Sequence, residues 1–484
     1  MLTNLEPKRV WEQFEKITKI PRPSKKEEKI IEYLLEFGKK HNLETKRDKI
    51  GNVLIKKPAT KGYENRKTVI LQSHMDMVCE KNSDVDFNFE TDAIQAYVDG
   101  EWVKARGTTL GADDGIGIAA QLAILTSGDI EHGPIECLFT VDEETGLTGA
   151  FALEPDFFSG SILLNLDSED EGEIFIGCAG GIDTIAKFNY RKDPVPDNYK
   201  IAAIDISGLP GGHSGDDIHK EHGNSNKILN RFLWHGQNNY GLRLSIFDGG
   251  NLRNAIPREA KAIFAVPEIK YNDFVKFTNK LIEDIKFEYE ETAPELNIDL
   301  NENQQADWLI DLKTQNNLLN ALYACPHGVI KWSMKLKGLV ETSTNLASVK
   351  FKDDKIIVTT SQRSSLESGK TDIASMVESV FILAGAKVEH TDGYPGWNPN
   401  PKSEILQIAV DSYQRLFGNK PVVRAIHAGL ECGLFLEKYP NLDMISFGPT
   451  LRGVHSPDEK INIKTVEKWW KHLLDILKNI PKTN

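Results

Sequence analysis

The sequence predicts an α/β domain, a mixed sheet flanked by helices, interrupted by an inserted α+β domain. Three observations predict it. Short apolar runs each end in a polar cluster, as buried strands of a parallel sheet do. Apolar residues recur at helical spacing beside those runs. Between about residues 183 and 392 the pattern changes to alternating strands interleaved with helices, and few of the clustered metal-type residues fall there. The domain limits read this way are 1–182 and 393–484 for the first domain and 183–392 for the insert.

Taken in order, residues 8–20 place Val10, Phe14 and Ile17 on one helical face, and residues 25–41 do the same with Ile30, Ile31, Leu34 and Leu35. Strands are expected at 68–71 before QSHMD, at 135–141 before DEETG, at 162–166 before Asp167 and at 444–447 before GPT. Helices at 115–125 and 466–477 would cover that sheet. In the insert, strands are expected at 200–206, 242–247, 260–266 and 355–360, with helices at 272–288 and 371–383. Ligands of open α/β sheets bind beyond the carboxyl ends of the strands, where these polar clusters fall.

Composition narrows the function classes. The 484 residues exceed one hydrophobic core. With 58 Lys and Arg against 71 Asp and Glu the net charge is −13, which disfavours nucleic acid and anionic lipid but not metals. No apolar run approaches the roughly 20 residues of a membrane span. The amino terminus lacks a signal-peptide pattern, and the five cysteines are scattered with no CxxC pair. A cytoplasmic protein is expected.

Five short motifs supply the chemistry: SHMD at 73–76, GADDG at 111–115, DEETG at 142–146, NLD at 165–167 and GVHSP at 453–457. Each sets a His, Asp or Glu just after an expected strand or at the start of an expected helix. Two imidazoles with several carboxylates suit borderline divalent metals such as zinc. A bridging carboxylate could serve two such ions. The adjacent Glu143 and Glu144 can divide the work, one holding metal while the other handles protons.

With these motifs, and with the longer runs GTTLGADDGIGIA (107–119), IHAGLECGLF (426–435) and FGPTLRGVHSPDE (447–459), the chain resembles the M20 family of di-zinc exopeptidases. Within it the likeness is to the aminoacyl-histidine dipeptidases (Xaa-His dipeptidase, PepD type), over essentially the whole chain. The resemblance implies a zinc-exopeptidase-type catalytic domain carrying a lid and dimerisation domain. It implies two Zn2+ per subunit, with Co2+ or Mn2+ as substitutes: His74 and Asp167 on one ion, Glu144 and His455 on the other, and Asp113 bridging. Asp76 would fix the His74 ring, and Glu143 would be the general base for a metal-bridged hydroxide. His213, on the GGHSG turn, would stabilise the oxyanion, reaching an active site of the partner subunit. Asn254 and Arg363 would clamp the substrate's terminal carboxylate, with His427 and Gly429 lining the same pocket.

Other features have blander readings. Asp114 is expected to cap the helix that starts at Gly115. Trp469 and Trp470 read as packing, His219 and His222 with Asp216 and Asp217 as a solvated loop, and the cysteines as core fillers. A structural salt bridge competes with the carboxylate clamp for Arg363. The resemblance implies a cytosolic homodimeric dipeptidase for Xaa-His substrates of the β-alanyl-histidine type. An aminoacylase, N-deacetylase or tripeptidase of the same fold is the alternative, and a non-catalytic binding protein a more distant one.

Overall fold

The computed structural model describes residues 2–302, 304–352 and 354–483; the outermost limits of the expected first domain, residues 1 and 484, lie outside the described residues. The chain divides into two compact units, one of residues 1–177, 399–425 and 430–484 and the other of residues 178–398 and 426–429.

The first unit is built on an eight-stranded mixed sheet. At its centre Val69–His74 runs parallel to Ile135–Thr140 on one side and to Ile162–Asn165 on the other. Asp443–Ser446 continues the parallel set beyond Ile162–Asn165, while Val53–Lys57 adds antiparallel to Ile135–Thr140. Every residue of the three central strands is buried, which is why each opens on a short, mainly apolar run. The expected 68–71 strand therefore extends through Gln72 and Ser73 to His74. These polar residues stay buried because they are paired: Asn165 Nδ2 donates to Gln72 Oε1 at 2.6 Å and Gln121 Nε2 to Ser73 Oγ at 2.5 Å. The helix Ala112–Thr126, rich in Gly and Ala, is buried along almost its whole length and receives the helix Lys8–Ile17.

The helix Ile463–Asn479 buries Trp469 and Trp470, as their packing role requires. On the same helix His472 lies 3% exposed between the rings of Tyr413 and Phe447, with Nε2 at 2.8 Å from the Ala409 carbonyl. Burial lowers its pKa to about 4. Between about 4 and the ordinary 6.5 the unfolded chain takes a proton that the folded chain refuses. Stability contributed by this residue is thus complete above pH 6.5 and drains away as pH falls toward 4, by at most about 3 kcal/mol. The expected result is that His472→Gln loses less melting temperature than the parent on going from pH 7 to pH 4.5; equal slopes would contradict it.

The second unit carries a nine-stranded antiparallel sheet, with Val340–Lys352 paired to Lys355–Ser364 and that strand to Gly180–Asn189. Helices Ser225–His235, Glu268–Glu288, Leu312–Ala324 and Glu367–Leu383 share one core with the sheet, which Phe232, Phe264, Phe274 and Phe381 help to fill. Alternating burial along Ala260–Pro267 is the period expected of a sheet with one covered face. Val340–Lys352 was not expected, because VETSTNLASV alternates in no hydrophobic sense. Its polar side chains pair across strands instead, as Thr342 Oγ1 with Ser364 Oγ at 2.9 Å. No helix among the described residues is long and apolar enough to cross a membrane.

Candidate active site

The parallel strands of the first unit deliver their chemistry at one end. His74 closes Val69–His74, Asp142 to Glu144 follow Ile135–Thr140, and Asp167 follows Ile162–Asn165. Asp113 stands at the start of the helix Ala112–Thr126, where the Asp113–Asp114 peptide is cis. His455 lies in the loop before Lys460–Asn462, half exposed and with a φ of 61°.

These residues, far apart in sequence, meet around Asp113. Its Oδ1 is 3.1 Å from His74 Nε2 and its Oδ2 is 3.3 Å from His455 Nε2. Asp167 Oδ1 lies 3.4 Å from His74 Nε2, and Glu144 Oε2 lies 3.0 Å from His455 Nε2. One carboxylate thus separates two imidazoles, and each Nε2 has one further carboxylate beside it. Ligand-type atoms of His74, Asp113 and Glu144 lie within 4.8 Å of one another.

The electrostatics ask for positive charge. Burial raises Asp167 and Glu143 well above the ordinary range, and neighbouring acids add to the rise. Burial alone would raise Asp113 too, but hydrogen bonds from His455 and His74 outweigh it and hold that carboxyl down. His455 is pushed up to about 11 by its hydrogen bonds to Asp113 and Glu144. Burial opposes a proton on His74, yet the acids around it win and raise its pKa well above normal. Glu144 Oε1 is buried with no hydrogen-bond partner among the described residues. Two imidazoles facing clustered acids, with an unpaired buried carboxylate oxygen, form a donor set that fits divalent cations.

Surrounding groups fix the cluster. Asp76 accepts from the Glu143 N–H at 3.0 Å and from the Glu144 N–H at 3.2 Å, and its Oδ1 lies 3.3 Å from His74 Nδ1. One carboxylate therefore positions both the SHMD histidine and the DEETG pair. Ser24 Oγ donates to Asp76 Oδ2 at 2.8 Å. Asp114 does cap its helix, accepting from the Gly117 N–H at 3.0 Å.

Two supporting residues, Glu459 and Arg22, escaped the sequence reading, and a third, Glu431, was expected only at the end of a pocket-lining loop from His427. Buried Glu459 accepts the N–H groups of Leu110, Gly111, Ala112 and Asp113 at 2.7–3.3 Å, so the loop of His455 and the loop of Asp113 are tied together. Buried Arg22 donates to the carbonyls of Met75 and Asp76, at 2.9 and 2.5 Å, and to that of Gly111. Buried Glu431 accepts from Gln72 Nε2 at 2.6 Å and Thr140 Oγ1 at 2.9 Å; burial lifts its pKa to about 7. Glu459 and Glu431 end or interrupt motifs already singled out, which was the available signal. Arg22 had none.

The second unit gathers the other expected residues. GGHSG folds with Gly211 and Gly212 at φ of 70° and 129°, which L side chains rarely adopt. Asp217 closes this turn by accepting the His213 N–H at 2.7 Å, so that acid is engaged in the loop rather than in a metal cluster. His213 Nδ1 lies 3.3 Å from the N–H groups of Gly215 and Asp216 and 3.4 Å from Asp216 Oδ2. His213 Nε2 lies 3.5 Å from Arg363 Nη2. Arg363 is 6% exposed and has no carboxylate within ion-pair distance among the described residues, which removes the salt-bridge reading. His427 is buried with Nε2 at 2.7 Å from Ser343 Oγ, and burial lowers its pKa to about 3. Asn254 is exposed, and its carbonyl accepts the Ser214 N–H at 2.8 Å. Gly429 abuts the ring of Tyr394, which had not been singled out.

Comparison with known proteins follows this geometry. The family model for peptidase family M20/M25/M40 matches residues 70–479. The cytosol non-specific dipeptidase of Escherichia coli (strain K12) is 45% identical over 480 residues, 99% of this chain and 99% of that protein. The crystal structure of aminoacylhistidine dipeptidase from Vibrio alginolyticus superposes with a TM-score of 0.93 at 46% identity, covering 100% of this chain and 99% of the other. Aminopeptidase PepT from Bacillus cereus ATCC 10987 shares the fold, with a TM-score of 0.57 at 16% identity over 98% of this chain and 99% of that one.

Proposed function

The chain belongs to peptidase family M20/M25/M40 and is a dipeptidase, and we propose that it hydrolyses Xaa-His and related dipeptides in the cytoplasm with two zinc ions per subunit. The observation that carries the metal part is Asp113, whose two carboxylate oxygens each face a different imidazole at 3.1 and 3.3 Å. His74 and Asp167 would hold one ion and Glu144 and His455 the other, with Asp113 between them; Co2+ or Mn2+ would substitute. Such ions supply Lewis acidity to the scissile carbonyl and lower the pKa of water.

The protein's own groups do the rest. Glu143 takes the proton that the attacking water loses and returns it to the leaving amine as the C–N bond breaks. Asp76 keeps Glu143 and the His74 ring in place through the backbone and ring contacts described above. The buried Arg363 fork binds the substrate's terminal carboxylate, with Asn254, His427 and Gly429 shaping that pocket. His213 would stabilise the oxyanion.

The chain would work as a homodimer through the second unit, each copy lending His213 to the other. Exposed Trp332 and Met334 support such an interface, and a monomeric mass by light scattering at full activity would remove it. Substrate class is tested on a panel of dipeptides, tripeptides and N-acetyl amino acids with zinc supplied. Dipeptides with free carboxylates are expected to be cleaved best. Preference for N-acetyl amino acids or tripeptides would replace the dipeptide assignment with an acylase or tripeptidase one.

A further inference from the structure

Within the second unit, Arg363, Gly181 and Tyr394 stand in one row across three neighbouring chain segments. Arg363 on Lys355–Ser364 is directly opposite Gly181 on Gly180–Asn189. Gly181 in turn exchanges both backbone hydrogen bonds with Tyr394, N–H to carbonyl at 3.0 and 2.8 Å. Residues directly opposite in antiparallel pairs project to the same face, so the Arg363 and Tyr394 side chains lie on one side with a glycine between them. Outer segments of such a row are about 10 Å apart, a gap that two long side chains close only by reaching across the middle one.

They do reach. Arg363 Nη1 donates to Tyr394 Oη at 2.9 Å. A Cβ on Gly181 would stand 2.6–2.7 Å from Cζ, Cε1 and Oη of Tyr394, and a Cβ on Gly429 would stand 2.8 Å from its Cε2. The phenol thus passes through a slot cut by two missing side chains. Its backbone is held as well, since Lys370 Nζ donates to the Tyr394 carbonyl at 2.7 Å. A buried guanidinium ordinarily has a carboxylate to orient it. Here a neutral hydroxyl orients it instead, which leaves its charge uncompensated.

We propose that Tyr394 is a positioning residue for terminal-carboxylate recognition, aiming the Arg363 guanidinium without neutralising it, and that Gly181 keeps the path between them open. An acid in place of the phenol would occupy the fork that a substrate carboxylate needs. This inference rests on the reading of Arg363 as the carboxylate clamp, so the experiment separates the two. KM and kcat are measured on one dipeptide and on its C-terminal amide for the parent, Tyr394→Phe, Gly181→Ala and Arg363→Lys, with melting temperatures alongside. Tyr394→Phe is expected to raise KM for the dipeptide roughly tenfold, with kcat within about threefold and KM for the amide unmoved. Gly181→Ala should move the same ratio in the same direction. If Arg363→Lys loses the preference for the free acid while Tyr394→Phe keeps it, the positioning role is overturned and the clamp stands. If both variants keep it, the clamp reading itself is overturned.

Discussion

Replacing Glu143 with Gln is expected to lower kcat for dipeptide hydrolysis by about two to four orders of magnitude while leaving bound metal unchanged. The backbone of Glu143 is fixed to Asp76 Oδ1 at 3.0 Å, and that contact survives the substitution. What is lost is a carboxylate whose proton affinity is raised first by burial, then by the charges of Asp167, Glu431 and Glu144, against the opposing pull of His74. A carboxylate in that environment accepts a proton more readily than a solvated one and can still release it to an amine. Gln has nearly the same shape and cannot do either. Kinetics at saturating dipeptide, with metal content by mass spectrometry on the same sample, check this. Turnover within tenfold of the parent would reassign the proton transfer to another group.

Asp113→Ala has the larger effect on binding. Among the described residues no other carboxylate pairs with both histidines, and its loss leaves His74 Nε2 with Asp167 and His455 Nε2 with Glu144. Each remaining pair offers one imidazole and one carboxylate, which is too few for a tetrahedral site. Dialysed protein should retain about half the parent's metal or less, and dipeptide hydrolysis should fall to background. A variant that keeps the parent's full metal content would show that Asp113 does not bridge. The helix start itself should persist, because Glu459 holds the backbone N–H groups of residues 110–113 rather than the Asp113 side chain.

Much of this was legible in the sequence because buried parallel strands leave a strong trace. Runs such as VIL, IECLFT and ILLN are largely apolar, and the residues after them read as loops at one edge of a sheet. The motifs that hold His74, Asp113, Glu144, Asp167 and His455 stand out in the sequence, and the family resemblance singles out these five within them. Val340–Lys352 left no such trace, since its pairing is made by Thr, Ser and Asn side chains that look like loop composition. The short strands Ala96–Asp99, Trp102–Ala105, Leu451–Arg452 and Lys460–Asn462, which form a separate four-stranded sheet, are too brief to show a period. Arg22 and Glu459 were missed for a different reason. Their partners are backbone groups dozens to hundreds of residues away, and backbone groups carry no sequence signature. Tyr394 is legible only in register, once Arg363, Gly181 and Tyr394 are known to face one another.

The tie between Glu459 and the loop at 110–113 also fixes an order of events during synthesis. Asp113 leaves the ribosome some three hundred residues before the carboxylate that anchors its loop and before His455, the imidazole on its far side. Strand Asp443–Ser446, which takes its place beside Ile162–Asn165, comes equally late. A nascent chain therefore carries only part of the His and carboxylate cluster through the whole production of residues 178–398. Domains fold roughly as they emerge, so the second unit can be complete before the cluster that would make the enzyme hydrolytic exists. Closure of the cluster waits for the last few dozen residues of the chain, among them His455 and Glu459.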